Sequence, residues 1–464
     1  MTGSTAPARR RPSWRPWAAG LGLLLGLQFV FFGLLVAAQA VPDRPIVQNL
    51  LSSVEAGTYG PNSVPDRMGG VADTFTECVL VGTGLGAAPD ESAFSRAVRM
   101  PRIASCAGGE ADLRALAGDS AVAAEELPID GNYFRYWAGY TLLTRPVLAL
   151  FGLEGLRIVS GTLMVASLAG AFLAVRARTS VPVALALTLP FLVGTNMLST
   201  PSTSFSHSLS IAAAFLSVLL TAAGAGRSTR MGLFGAALGA AVFCYVDLLT
   251  TPAVPWIMSA FVLGAAVWCR TRRTVQALGA TVTAGVVWVA AFAVTWVSRW
   301  VFAVVFLGLD ETLSVVRGKV AERTGGEWDG VSDVFGAGVR SNVEYWWNTV
   351  PTSSLVLLGC TVAALVGLGL AVARGGPGRL VVAAVLGAPA LVVPVWYIVL
   401  SNHSQIHEFF VNRNVPAALA VATAAALVAA ARPRTADASP EARSGPASGT
   451  AARSAAVEDS SPAG

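Results

Sequence analysis

Long apolar blocks alternate along the chain with short polar segments, and these blocks are continuous instead of following the 3.6-residue period of a soluble amphipathic helix. A helix needs about 20 apolar residues to cross a bilayer. Blocks of roughly this length predict ten membrane-spanning helices, at about 17–41, 155–175, 180–197, 206–223, 231–249, 254–269, 275–297, 352–373, 379–400 and 415–431. The pattern therefore predicts an all-α polytopic membrane protein.

The first apolar block follows a basic segment, residues 1–16, which contains Arg9, Arg10, Arg11 and Arg15. The block at 17–41 is longer than the roughly 7–15 apolar residues of a cleaved signal peptide. We therefore expect it to remain as the first transmembrane helix, with residues 1–16 in the cytoplasm.

Arginine residues mark alternate ends of the later blocks: Arg176, Arg178, Arg227, Arg230, Arg270, Arg272, Arg273, Arg374, Arg379, Arg432 and Arg434. Because cytoplasmic loops carry an excess of basic residues, both termini are predicted to be cytoplasmic. Residues 42–135 then form a large external loop with short helices, and about 308–350 form a second external loop within the nine-helix domain 136–432. Residues 132–150 are predicted to be an interfacial helix. The tail 433–464, rich in Ala, Ser and Pro, is predicted to be disordered.

The composition agrees with a membrane protein and argues against a nucleic-acid-binding one. Hydrophobic residues make up 54% of the chain, charged residues only 13%, and the mean hydropathy is +0.61. The net charge of +5 comes mostly from arginines at the ends of apolar blocks, where they are topology signals. The predicted location is a bacterial cell membrane, with several passes.

Two carboxylates lie four residues apart in the first external loop, at Asp73 and Glu77. If this stretch is helical, they share one face. Desolvation beside a membrane raises the pKa of a carboxyl group, which suits a general base. The alternative is a solvated loop helix whose Asp interacts with the helix dipole. Asp43 and Asp66 are further acidic candidates.

Asp247 lies at the predicted external end of the fifth span. An ionisable group at this position is costly unless it faces a cavity or a partner. We expect such a role, and the alternative is a carboxylate at a helix end that reaches water.

The histidines of the chain, His207, His403 and His407, are all predicted to lie at the external side. A metal is a weak explanation because no third ligand accompanies His403 and His407. Together with Arg135 and Arg413 they predict a site for a phosphate or pyrophosphate at the membrane surface. The alternative is that these side chains extend to lipid phosphates.

Cys78 and Cys106 both fall in the first external loop, where oxidising conditions allow a disulfide. A bridge between them would close a loop of about 29 residues and contribute roughly 3–4 kcal/mol. Whether the two thiols have bridging geometry stays open. Walker, dinucleotide-binding and zinc-ribbon motifs are missing from the sequence, so we expect no cofactor and no metal.

The layout of one span, a long acidic external loop and then many spans resembles the membrane-embedded glycosyltransferases of the GT-C superfamily. Four strings are similar to those of a bacterial family of uncharacterised multi-span integral membrane proteins: Asp73-Thr74-Phe75-Thr76-Glu77, Arg135-Tyr136-Trp137-Ala138-Gly139-Tyr140 with Arg145-Pro146, Asp247-Leu248-Leu249-Thr250-Thr251-Pro252 and Asn402-His403-Ser404-Gln405-Ile406-His407. This second resemblance extends to about Arg432 and brings no known activity.

The GT-C resemblance implies an acidic residue of the first external loop that activates the acceptor, and a polyprenyl-phosphate sugar donor. By position, Asp73 matches the acidic base. Several members carry paired acidic residues soon after the first span, whereas this chain has Asp43-Arg44 there.

Our leading hypothesis is a glycosyltransferase that moves a sugar from a polyprenyl-phosphate lipid donor to an external glycan or protein acceptor of the cell envelope. Asp73 or Glu77 would be the base, and Arg135, His403, His407 and Arg413 would stabilise the departing lipid phosphate. His207 and Asp247 would line the cavity. Two alternatives are a proton-coupled transporter or lipid flippase that depends on Asp247, and a non-enzymatic envelope scaffold protein.

Overall fold

The computed structural model describes residues 15–59, 74–88, 90–103, 109–118, 129–130, 133–324 and 330–432. Several predictions lie outside these residues: most of the cytoplasmic segment 1–16, Asp66 as an acidic candidate, Asp73 as a base, Cys106 as the partner of Cys78, and the disordered tail at 433–464.

The structure confirms an all-α polytopic membrane protein. The helices are α1 (Arg15–Gln39), α2 (Asp43–Glu55), α3 (Thr74–Gly82), α4 (Ala93–Arg99), α5 (Gly109–Ala117), α6 (Thr141–Arg178), α7 (Val181–Val193), α8 (Thr200–Thr203), α9 (Phe205–Arg227), α10 (Thr229–Val246), α11 (Ala253–Thr271), α12 (Thr274–Leu307), α13 (Leu309–Thr324), α14 (Ala337–Thr349), α15 (Ser353–Gly375), α16 (Gly378–Gly387), α17 (Val392–Val399), α18 (Ser401–Ile406), α19 (Glu408–Val411) and α20 (Asn414–Ala430). A 3₁₀ turn, Ala388–Leu391, joins α16 to α17. Strands β1 (Arg102–Ile103) and β2 (Ile129–Asp130) form one short antiparallel pair.

Within the described ranges, nine helical segments are long and apolar enough to cross a membrane. They correspond to nine of the ten predicted spans. The remaining prediction, 180–197, is the apolar helix α7, which has only 13 residues. At a rise of about 1.5 Å per residue, a helix of this length is shorter than the hydrocarbon core.

Helix α6 combines the predicted interfacial helix with the following span. It begins at Thr141 and is interrupted at Gly152, whose φ of 64° and ψ of −166° are not helical. Glycine adopts this conformation because it lacks a Cβ atom. The residues before the bend contact α2, where the Asn49 amide donates to the carbonyls of Leu148 and Ala149.

The bundle has an arginine end, where the turns after α6, α9, α11 and α15 carry the predicted arginines. Arg270 donates to the Ala225 carbonyl, and Arg374 and Arg379 donate to the carbonyls of Ala430 and Ala429. These last two contacts satisfy carbonyl groups at the C-terminus of α20 that have no partner within the helix. The opposite end, which we call the loop end, carries α2–α5, α13, α14, α18 and α19.

Helices α9 and α10 pack closely through glycine. A Cβ atom at Gly239 would lie 2.4 Å from Ser217 Oγ and 2.6 Å from Ser217 Cα. Ser217 in turn accepts a hydrogen bond from Trp288 Nε1 at 3.1 Å. The absence of a side chain at Gly239 therefore lets three helices meet.

Substituting Gly239→Val is expected to destabilise the bundle by about 1–3 kcal/mol, because the new side chain forces α9 and α10 apart. Thermal unfolding in detergent would measure the effect. The matched control is Gly359→Val on α15, where a Cβ atom would have no neighbour within 4 Å. Equal unfolding temperatures for the two variants would contradict this account of the packing.

Candidate functional site

A cavity of about 430 Å³ lies at the loop end, between segments far apart in the chain. Its walls come from α3, β1, the segment before α6, the turn after α10, and α18 with α19. The lining residues are Phe75, Thr76, Val79, Arg102, Tyr133, Arg135, Tyr136, Leu248, Thr250, His403, Ile406, His407, Phe409 and Phe410.

Two arginines of this cavity share one aromatic ring. The guanidinium carbons of Arg102 and Arg135 lie 4.7 and 4.2 Å from the ring centroid of Tyr133. Cation–π attraction of this kind holds an arginine in place while leaving its N–H donors directed sideways. The indole N–H groups of Trp296 and Trp300 both donate to the Arg135 carbonyl at 3.4 Å, which anchors this segment to α12.

The three histidines surround Phe410. Its ring stacks on His407 at 5.1 Å and lies 6.3 Å from His403 and 5.3 Å from His207. The rings of His403 and His407 are 4.9 Å apart, and both residues line the cavity. His207 also contacts Phe410, but it is buried and does not line the cavity.

Arg413 belongs to a neighbouring contact. It is buried, and its Nε and Nη2 atoms donate to Asn196 Oδ1 at 3.1 and 2.8 Å. It therefore joins the start of α20 to the segment after α7, and it does not line the cavity.

Glu77 lies on α3 but does not line the cavity, although Phe75 and Thr76 of the same helix do. Its buried carboxylate pairs with Arg157 of α6 at 3.0 Å. Arg157 also donates to Glu154 and to the Thr58 carbonyl. The described geometry thus gives Glu77 a structural contact, whereas Asp73 would immediately precede α3.

A buried tyrosine, Tyr59, lies near the carboxylate of Glu77. Burial raises the pKa of the Tyr59 hydroxyl well above its ordinary value, and the nearby Cys78, Glu77 and Asp112 raise it further. Burial also raises the pKa of Asp112. Tyr59 therefore stays neutral at physiological pH and acts here as a hydrogen-bonding group.

Asp247 is buried directly after α10, and its carboxylate accepts hydrogen bonds from the Thr250 amide at 2.7 Å and from the Thr250 hydroxyl. Asp247 lines only a space of about 10 Å³, too small for a substrate. Thr250 is the residue of this turn that reaches the larger cavity beside Leu248.

The cavity is suited to an anion with an apolar part. Its lining includes two guanidinium groups and two imidazoles, and no Asp or Glu among the described residues. Arginine forms paired hydrogen bonds with phosphate oxygens, and the aromatic residues provide apolar contact. Among all the residues that the structure describes, no group of three or more His, Cys, Asp or Glu side chains has an arrangement that could hold a metal ion.

Sequence reasoning found Arg135, His403 and His407 but missed Arg102, Tyr133 and Tyr136. The signal for Arg102 was only a basic residue within a long polar loop. Its place in the site depends on β1, which pairs with β2 across 25 intervening residues.

Comparisons of the chain with protein-family models, with curated proteins and with solved structures gave no match. The resemblance to GT-C enzymes is therefore one of layout alone, and the functional argument rests on the site.

Proposed function

We propose that the protein is a membrane-embedded glycosyltransferase that uses a polyprenyl-phosphate-linked sugar at the external face and acts on a cell-envelope acceptor. The observation that carries this proposal is the gathering of Arg102, Arg135, His403 and His407 around one cavity at the loop end. The hydrocarbon chain of a lipid-linked donor stays in the bilayer, and its charged phosphate stays at the membrane surface. A cavity at the loop end would therefore be within reach of the phosphate.

In the proposed reaction, the acceptor oxygen attacks the anomeric carbon of the sugar. The bond from this carbon to the phosphate oxygen breaks, and its electron pair leaves with the lipid phosphate. Arg102 and Arg135 stabilise the negative charge that develops on this phosphate. The acceptor proton passes to the carboxylate of Asp73, which precedes the cavity-lining residues of α3 by two positions.

Asp73 is the preferred base because Glu77 and Asp247 have structural partners. Glu77 is neutralised by Arg157, and Asp247 is engaged by its own turn. Neither lines the cation-rich cavity.

Farnesyl phosphate is expected to bind to the full-length protein in nanodiscs of neutral lipid, and Arg135→Gln should weaken this binding about 10- to 100-fold. The loss corresponds to one or two charge-assisted hydrogen bonds. Isothermal titration calorimetry would measure it, with farnesol as the matched uncharged lipid and inorganic phosphate as the matched headgroup without a chain.

The control variant is Arg340→Gln, because Arg340 also lies at the loop end but is exposed and paired with Glu344 at 2.7 Å. It should bind farnesyl phosphate as the wild type does. Equal affinity of the wild type for farnesyl phosphate and farnesol would overturn the proposal. Equal affinity for farnesyl phosphate and inorganic phosphate would argue against a lipid donor.

A further inference from the structure

The turn after α10 has a conformation that needs support. Leu249 has a φ of 66°, in the left-handed region that favours glycine. The carboxylate of Asp247 supports the turn by accepting hydrogen bonds from the backbone amide and the hydroxyl of Thr250. Asp247 therefore holds together a turn that a leucine alone would not favour.

The same turn directs a carbonyl group at a histidine of the cavity. The Leu249 carbonyl lies 3.0 Å from His403 Nε2, and both groups are buried. A carbonyl oxygen only accepts hydrogen bonds, so His403 Nε2 carries a hydrogen. In the neutral ring the lone pair is then on Nδ1, and a second proton there would create a donor for an anion.

His403 lines the cavity. In the turn after α10, Leu248 and Thr250 line it too, whereas Leu249 between them does not. The Nε2 atom of His403 therefore faces the backbone of the turn, and the same residue contributes to the cavity wall. The charged and titratable side chains that share this wall are Arg102, Tyr133, Arg135, Tyr136 and His407.

We propose that Asp247 is a positioning residue, which through the turn at Leu249 fixes the orientation and the neutral tautomer of His403, so that a proton taken up at Nδ1 is donated to a bound lipid phosphate. The ligand in this proposal rests on the proposed function. The fixed tautomer follows from the contacts alone, so the two are separately testable. The role is distinct from that of a coupling carboxylate, because it needs a hydrogen-bond acceptor at position 247 and not a titrating charge.

The experiment uses full-length protein in nanodiscs with ¹⁵N-labelled histidine. The chain has three histidines, so the ring signals of His403 are assigned with the variants His207→Gln and His407→Gln. The wild type is expected to show one His403 tautomer, protonated at Nε2. Asp247→Ala should give a mixture of tautomers and bind farnesyl phosphate about tenfold more weakly, the loss expected for one charged hydrogen bond.

The conservative variant Asp247→Asn separates positioning from charge. Its side-chain oxygen still accepts from the Thr250 amide, so the single tautomer and the wild-type affinity should return. If Asp247→Ala does not fold, Thr250→Val replaces it. This variant removes one donor to Asp247 and keeps the backbone, and we expect partial mixing of the His403 tautomers.

An unchanged His403 tautomer in Asp247→Ala, or in Thr250→Val where that variant stands in, would overturn the positioning role. A loss in Asp247→Asn as large as in Asp247→Ala would also overturn it, because charge would then be the essential property. If the wild type fails to bind farnesyl phosphate but the tautomer responds to Asp247→Ala, the proposed function fails and the positioning of His403 stands.

Discussion

Replacing Arg145 by Met is expected to lower the free energy of unfolding by about 3–5 kcal/mol, because the change removes one partner from a buried charged network. Arg145 lies at the start of α6 and is only 1% exposed. Its guanidinium group donates to the carbonyls of Ala38 and Val41, at 3.0 and 2.5 Å, and to that of Gly84 at 2.8 Å.

The same guanidinium pairs with Asp43 at 2.5 Å, and Arg96 of α4 approaches the same carboxylate oxygen at 2.5 Å. The network therefore joins the C-terminus of α1 to α2, α4 and α6. Carbonyls at the end of α1 have no partners within the helix, and arginine supplies donors for them. Met retains much of the apolar volume of Arg but leaves these acceptors buried without donors.

Chemical unfolding in mixed micelles, followed by tryptophan fluorescence, would measure the Arg145→Met effect. The control is Arg114→Met, since Arg114 is 40% exposed and pairs with Glu110 one helical turn away. Such an exposed pair contributes at most about 1 kcal/mol. A loss for Arg145→Met no larger than that for Arg114→Met would show that the network does not hold the loop end together.

Replacing Arg157 by Met is expected to cost a comparable 3–5 kcal/mol, because it leaves the carboxylate of Glu77 buried without its charged partner. Glu77→Gln alone should cost less, since an amide is easier to bury than a carboxylate. The double variant Glu77→Gln with Arg157→Met should recover much of the loss. The two substitutions are therefore coupled, and their effects do not add.

A double-mutant cycle of unfolding free energies measures this coupling. The cycle also tests the role of Glu77, because a catalytic base would give a Glu77→Gln variant with wild-type stability and no turnover. Additive effects of the two substitutions would contradict the ion pair as a structural element.

Much of the fold was predictable because it depends on local properties of the chain. Mean hydropathy over about 20 residues decides which segments enter a bilayer, and this property locates α1, α9, α12 and α15 without knowledge of their neighbours. Helix α7 is the exception, because hydropathy alone predicted it to be a full span. Its apolar run was as evident as the others, but the helix ends at Val193 and the chain then turns to contact Trp346 through the Gly194 carbonyl.

The site was less predictable, because sidedness does not determine which side chains meet. The sequence predicted Arg135, Glu77 and Asp247 for one side of the membrane, but it did not predict which of them meet. Only the tertiary structure shows that Arg135 and Arg102 both contact the ring of Tyr133. It also shows that Glu77 pairs with Arg157, which is 80 positions away in the sequence.

By itself, the sequence determined that this is an all-α membrane protein of many spans, and it predicted that its unusual polar residues lie on one side of the membrane. Burial of apolar helices is set by composition along the chain, and composition can be read in one dimension. The tertiary structure decided which polar residues line a cavity and which hold the fold together. That division depends on side-chain packing between helices that are distant in sequence. The rotation of a helix about its axis decides whether a given polar side chain forms a buried ion pair or lines a cavity.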